Sequence, residues 1–86
     1  MGNQASGAEY ERALKRFREL QQIVLLHLME AGPTKWDALY SHFKQDSTAE
    51  VTHALRHLTR LNHITVESDS TAKITASGME QLKNGK

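Results

Sequence analysis

Ser47-Thr-Ala-Glu-Val-Thr-His-Ala-Leu-Arg-His-Leu-Thr-Arg-Leu61, then Ile64-Thr-Val66, a polar tip Glu67-Ser-Asp-Ser-Thr71 and Lys73-Ile-Thr-Ala-Ser-Gly78, is the stretch that decides the fold. Its first part reads as a helix with a defined start. Ser47 and Glu50 have the spacing of a capping box, in which each side chain satisfies the other residue's backbone N–H. Val51, Ala54, Leu55, Leu58 and Leu61 fall on one face at helical spacing, whereas Thr52, His53, Arg56 and Arg60 point the other way. Asn62 suits the left-handed residue that ends a helix. Beyond it the period changes to two. Ile64 and Val66 alternate with polar neighbours, as do Lys73, Ile74 and Thr75, so a small hairpin with 67–71 at its tip is predicted.

Upstream, a longer helical pattern runs from Glu9 to about Glu30. Tyr10, Leu14, Phe17, Gln21, Val24 and Leu28 alternate steps of four and three, and Leu20, Ile23, Leu25 and Leu26 widen the apolar face towards the C-terminal half. Gly32-Pro33 stops it. Thr34 is positioned to cap a short second helix, in which Trp36, Leu39, Tyr40 and Phe43 repeat at helical spacing. Lys44-Gln-Asp46 turns the chain into the third helix. A last helical turn is expected over Gly78–Leu82. Residues 1–8, small and polar, read as a disordered tail, residues 9–82 as the folded domain, and residues 83–86 as a fraying end.

The 86 residues suffice for one small domain, and 38% hydrophobic with 24% charged residues is a globular balance. With no cysteine, disulfides and thiolate metal sites are excluded, which fits a reducing, cytoplasmic setting. No apolar run approaches membrane-spanning length and no secretory signal is visible. A net charge of +1 means that affinity for nucleic acid must come from where charges sit rather than from their sum.

The order helix, helix, helix, strand, tip, strand resembles the winged-helix branch of helix-turn-helix proteins over roughly residues 20–82. The closing segment Ile74-Thr-Ala-Ser-Gly78-Met-Glu-Gln-Leu82 is similar to the ending of small transcription regulators of the MarR, PadR and ArsR kind. The resemblance implies a mainly α fold with a small β-hairpin: a three-helix core plus wing, here with an extended N-terminal helix. It also implies that the third helix, 47–61, enters the major groove of double-stranded DNA while the wing touches the neighbouring backbone. Carried over to this chain, the DNA-contacting set is Ser47, Ala49, Thr52, His53, Arg56, Arg60 and Lys73. Arg56 and Arg60 are central, because a guanidinium can pair bidentately with a guanine edge or a phosphate. The wing departs from the pattern. Its tip carries Glu67 and Asp69, which repel phosphates, with only Lys73 behind them. That charge pattern keeps open a protein-interaction module that uses the third helix and the acidic wing.

Further readings follow from the residues. Tyr10, Leu14 and Phe17 carry the apolar stripe of the first helix beyond what the core needs. They predict either a homodimer or a stripe that folds back on the domain's own hairpin or frays. A dimer would set two recognition helices about one DNA turn apart. Arg12, Lys15, Arg16 and Arg18 interleave with Glu9, Glu11 and Glu19 as the solvated side of that helix. Glu50, His53 and His57 share one helix side but lack a third strong ligand, so no metal or other cofactor is expected. Met1-Gly2-Asn3-Gln4-Ala5-Ser6 fits the short pattern for N-myristoylation, a minor alternative that implies membrane association. No nucleophile, phosphate loop or carboxylate pair is arranged as a catalytic set, and an enzyme is not expected.

Overall fold

A computed structural model describes the backbone of residues 2–84 and the side chains of residues 9–84. The acylation pattern over residues 1–6 therefore lies outside the described side chains. In chain order the elements are α1 (Gly2–Ala31), β1 (Thr34–Lys35), α2 (Trp36–His42), α3 (Thr48–Arg60), β2 (Ile64–Val66), β3 (Thr71–Ile74) and α4 (Ala76–Asn84). The fold is mainly helical with a small three-stranded antiparallel sheet, and no described helix is long and apolar enough to cross a membrane.

The core forms where the amphipathic faces of the helices meet the sheet. Leu20, Val24, Leu25 and Leu28 of α1, Leu39 of α2, Phe43 just after α2, and Val51, Ala54, Leu55 and Leu58 of α3 are buried with Ile64 and Ala72 of the strands. Each large aliphatic side chain withdrawn from water in this way contributes about 1.5–3 kcal/mol before entropy is counted. Trp36, Tyr40, Val66, Ile74 and Leu82 pack around this centre.

Turn chemistry sets the element ends. Gly32, at φ 83°, closes α1 with its N–H donating to the Leu28 carbonyl at 2.9 Å. Asn62, at φ 64°, does the same work after α3. The helix bounds of α1 take in residues 2–8, the stretch that composition assigned to a tail.

The sequence expectations need three corrections. Thr34 does not cap α2. It lies in β1 opposite Ala72, its hydroxyl donates to the Gly32 carbonyl at 2.9 Å, and Lys35 occupies the cap position without a side-chain cap bond. The hairpin is accordingly one edge of a three-stranded sheet in the order β1-β3-β2. Leu61 stands 44% exposed rather than on the core face, because the helix ends before it and the chain turns away at Asn62. The last helical turn is a nine-residue helix, α4.

The start of α4 explains the Thr-x-x-Gly spacing. Thr75 Oγ1 accepts the Gly78 N–H at 3.1 Å and donates to the Asn62 carbonyl at 2.6 Å, so one hydroxyl caps α4 and ties it to the end of α3. A side chain at Gly78 would overlap the His63 carbonyl oxygen and approach Ile74 Cγ1 to 2.8 Å. Only glycine allows α4 to sit this close to the sheet.

Candidate nucleic-acid interface

The third helix is fixed from three directions. At its start the expected capping box is complete: Glu50 N–H donates to Ser47 Oγ and Ser47 N–H donates to Glu50 Oε1, both at 3.1 Å. Such a cap is worth about 1 kcal/mol. Immediately before it, Arg16 of α1 grips Asp46 with two nearly parallel bonds, Nε to Oδ1 at 2.9 Å and Nη2 to Oδ2 at 2.7 Å. The geometry is the bidentate fork that arginine makes with a carboxylate. That pairing holds the Asp46 carboxyl below its ordinary range and pushes the Arg16 guanidinium further up. Arg16 thus leaves the solvated row expected for α1 and becomes a tertiary anchor, with Glu19 as a second, looser partner at 3.4 Å.

The second direction is α2. Trp36 Nε1 donates to Tyr40 Oη at 2.6 Å, and Tyr40 Oη is hydrogen-bonded in turn to Thr52 Oγ1. Thr52 is half-buried within this chain of polar groups, so its hydroxyl is spent on packing α3 against α2. The third direction is α1, where the Phe17 ring stacks on His53 at 4.7 Å between centroids and meets His57 at 5.4 Å. His53 is exposed on one side and covered by an aromatic ring on the other.

What remains open on α3 is a narrower surface than the residue pattern suggested. Arg56 and Arg60 lie one turn apart, exposed, on the side away from Val51, Ala54, Leu55 and Leu58. Neither makes an ion pair among the described residues. Ala49 and Ser47 are exposed near the start of the same helix.

The β2–β3 hairpin, which the resemblance names the wing, is organised differently. Its tip is closed by Ser70, at φ 67°, with Ser70 N–H donating to the Glu67 carbonyl at 2.8 Å and Glu67 N–H to the Thr71 carbonyl at 2.9 Å. Asp69 Oδ1 accepts the Thr71 N–H at 3.2 Å. The bonds from Thr71 hold the Asp69 carboxyl low, with Lys35 adding a smaller pull. Lys73 Nζ sits 2.7 Å from Glu67 Oε2, and this contact raises the Lys73 ammonium above its ordinary value. The one cation expected to touch phosphate from the wing is therefore already matched within the wing.

The remaining singled-out residues lie on α1. Tyr10 and Leu14 are 66% and 36% exposed, while Phe17 is half-buried against α3. Across from them stand Ala49, Glu50 and His53, and between the two helices runs an open groove of about 420 Å³. Phe17 thus meets the histidines of α3, whereas the fold-back reading had placed it against the hairpin. Neither the Arg16–Asp46 nor the Tyr40–Thr52 contact is legible in the spacing of the sequence. The first joins residues 30 positions apart, and no local pattern announces it.

No family model, curated protein or solved structure matches this chain.

Proposed function

We propose that this chain is a winged-helix domain that binds double-stranded DNA through α3 and acts as a small transcription regulator. One observation carries the reading: a helix fixed at its cap, its α2 side and its α1 side presents two unpaired arginines to solvent, one turn apart. A side chain that reads a base edge needs a backbone that does not move, and arginine at that position can bridge guanine or phosphate. The element order, with β3 between β1 and β2, supports the winged-helix assignment. The binding set narrows accordingly to Arg56 and Arg60 as principal contacts, with Ser47 and Ala49 near the helix start. Lys73 and Thr52 act within the fold. Such a domain would work at the nucleoid, in the cytoplasm.

A second reading has its own observation. The wing carries Glu67 and Asp69 at an exposed tip, with Lys73 neutralised by Glu67. A surface that repels phosphate suits a basic protein partner, which α3 and the wing would meet together. Titration with random-sequence duplex DNA across a salt series separates the two. DNA binding gives an affinity that falls linearly on logarithmic axes as salt rises. No binding to duplex at low salt would set the DNA reading aside in favour of the protein partner.

A further inference from the structure

We infer that the N-terminal half of α1 is a dimerisation surface whose occupant is the same half of α1 from a second copy, packed antiparallel. Tyr10, Leu14 and Phe17 form one stripe at steps of four and three, the spacing by which two helices pack side by side. Nearer the C-terminus the stripe continues into the core as Val24 and Leu28. Towards the N-terminus it is covered by α3 on one side only, which leaves Tyr10 two-thirds exposed and the groove beside Ala49 and His53 open.

The charges beside the stripe choose the occupant and its direction. Glu11 follows Tyr10 and Arg18 follows Phe17, so both border the stripe on the same side, away from the groove. Both are exposed, and neither makes an ion pair among the described residues. A two-fold axis near Leu14 brings each Glu11 beside the other copy's Arg18, because the two residues lie three positions before and four positions after it. The same operation sets each Tyr10 against the other copy's Phe17 and the two Leu14 side chains against each other. One surface thus supplies both partners of every contact, as an isologous interface requires. A parallel pair has no such match, since it places Arg18 against the level of Ala13.

Arg56 and Arg60, the principal contacts proposed for α3, do not line the groove. Of the proposed set only Ala49 does, beside His53, and a second copy seated there shields both further.

Sedimentation or light scattering of the intact chain at tens of micromolar, without DNA, should give twice the mass of one chain. Leu14→Glu should give a single-chain mass at unchanged helix content by circular dichroism. Because the chain has no cysteine, orientation can be read by cross-linking. A mixture of Glu11→Cys and Arg18→Cys chains should form a disulfide-linked pair under mild oxidation, and Glu11→Cys alone should not. A monomeric intact chain, a Leu14→Glu chain that stays dimeric, or a Glu11→Cys chain that cross-links to itself as readily as to Arg18→Cys would each overturn the antiparallel dimer.

Discussion

The third helix and the wing are neighbours in sequence and space, yet they treat their cations in opposite ways. On α3 the arginines are left unpaired among the described residues, and the ion pair that serves the helix lies behind its start, between Arg16 and Asp46. On the wing the one lysine is held by Glu67 at the surface. The Asp46 side chain is only 9% exposed, whereas Lys73 and Glu67 are each nearly half exposed. The first pair is a fixed joint between α1 and α3. The second is a surface pair of the kind that adds little to stability and mainly decides what charge the wing shows to a partner. Placing and presenting are thus divided: the core and part-buried polar contacts fix α3 in place, and its exposed charges are kept free.

The contrast would break most severely at the base of the wing. Gly78→Ala should cost about 1–3 kcal/mol of stability, since the added methyl must displace the His63 carbonyl or Ile74. Thermal or denaturant unfolding measures it. A neutral effect would mean that α4 can move away from both the His63 carbonyl and Ile74 without loss.

Arg16→Ala should cost less, about 1 kcal/mol once screening of the partly exposed guanidinium is allowed for. It should also alter the acid response. The Asp46 carboxyl is held low in the folded state, so its contribution is present above the ordinary carboxylate range and is lost as pH falls through and below it. Comparing unfolding midpoints of the two chains between neutral pH and about pH 3 should show the gap closing in acid. A pH-independent gap would leave the Arg16–Asp46 fork without an electrostatic role.

The gentlest change sharpens the contrast at the wing. Replacing Glu67 and Asp69 with lysine frees Lys73 and turns a repelling tip into an attracting one. Non-specific duplex affinity should rise, and its salt dependence should steepen by about one to two counterions. If DNA binding stays constant while binding to a protein partner disappears, the wing is a protein contact.

Legibility in the sequence followed the range of each interaction. The capping box of α3, its buried face from Val51 to Leu58, the glycine stop at Gly32 and the left-handed Asn62 are all local devices that stand where spacing places them, while Leu61, past the helix end, leaves that face. The strand β1 escaped because two residues carry no period, and its pairing with β3 spans more than thirty positions. Spacing gives the face of α3 as a direction but not as a surface. Thr52 and His53 do point away from the core, yet Tyr40 and Phe17 reach around to meet them. Periodicity reports which side of a helix is turned outwards; it carries no record of what arrives from elsewhere in the chain.

The assignment of α3 is tested most directly by one substitution that the fold does not need. Arg56 is exposed and makes no ion pair among the described residues, so Arg56→Ala should leave the thermal midpoint essentially unchanged. Its affinity for a duplex selected by the intact chain, measured by fluorescence anisotropy at fixed salt, should fall by about 1–3 kcal/mol, or roughly 5- to 150-fold. Equal affinity of the two chains for that duplex would remove α3 from the interface and contradict the assignment.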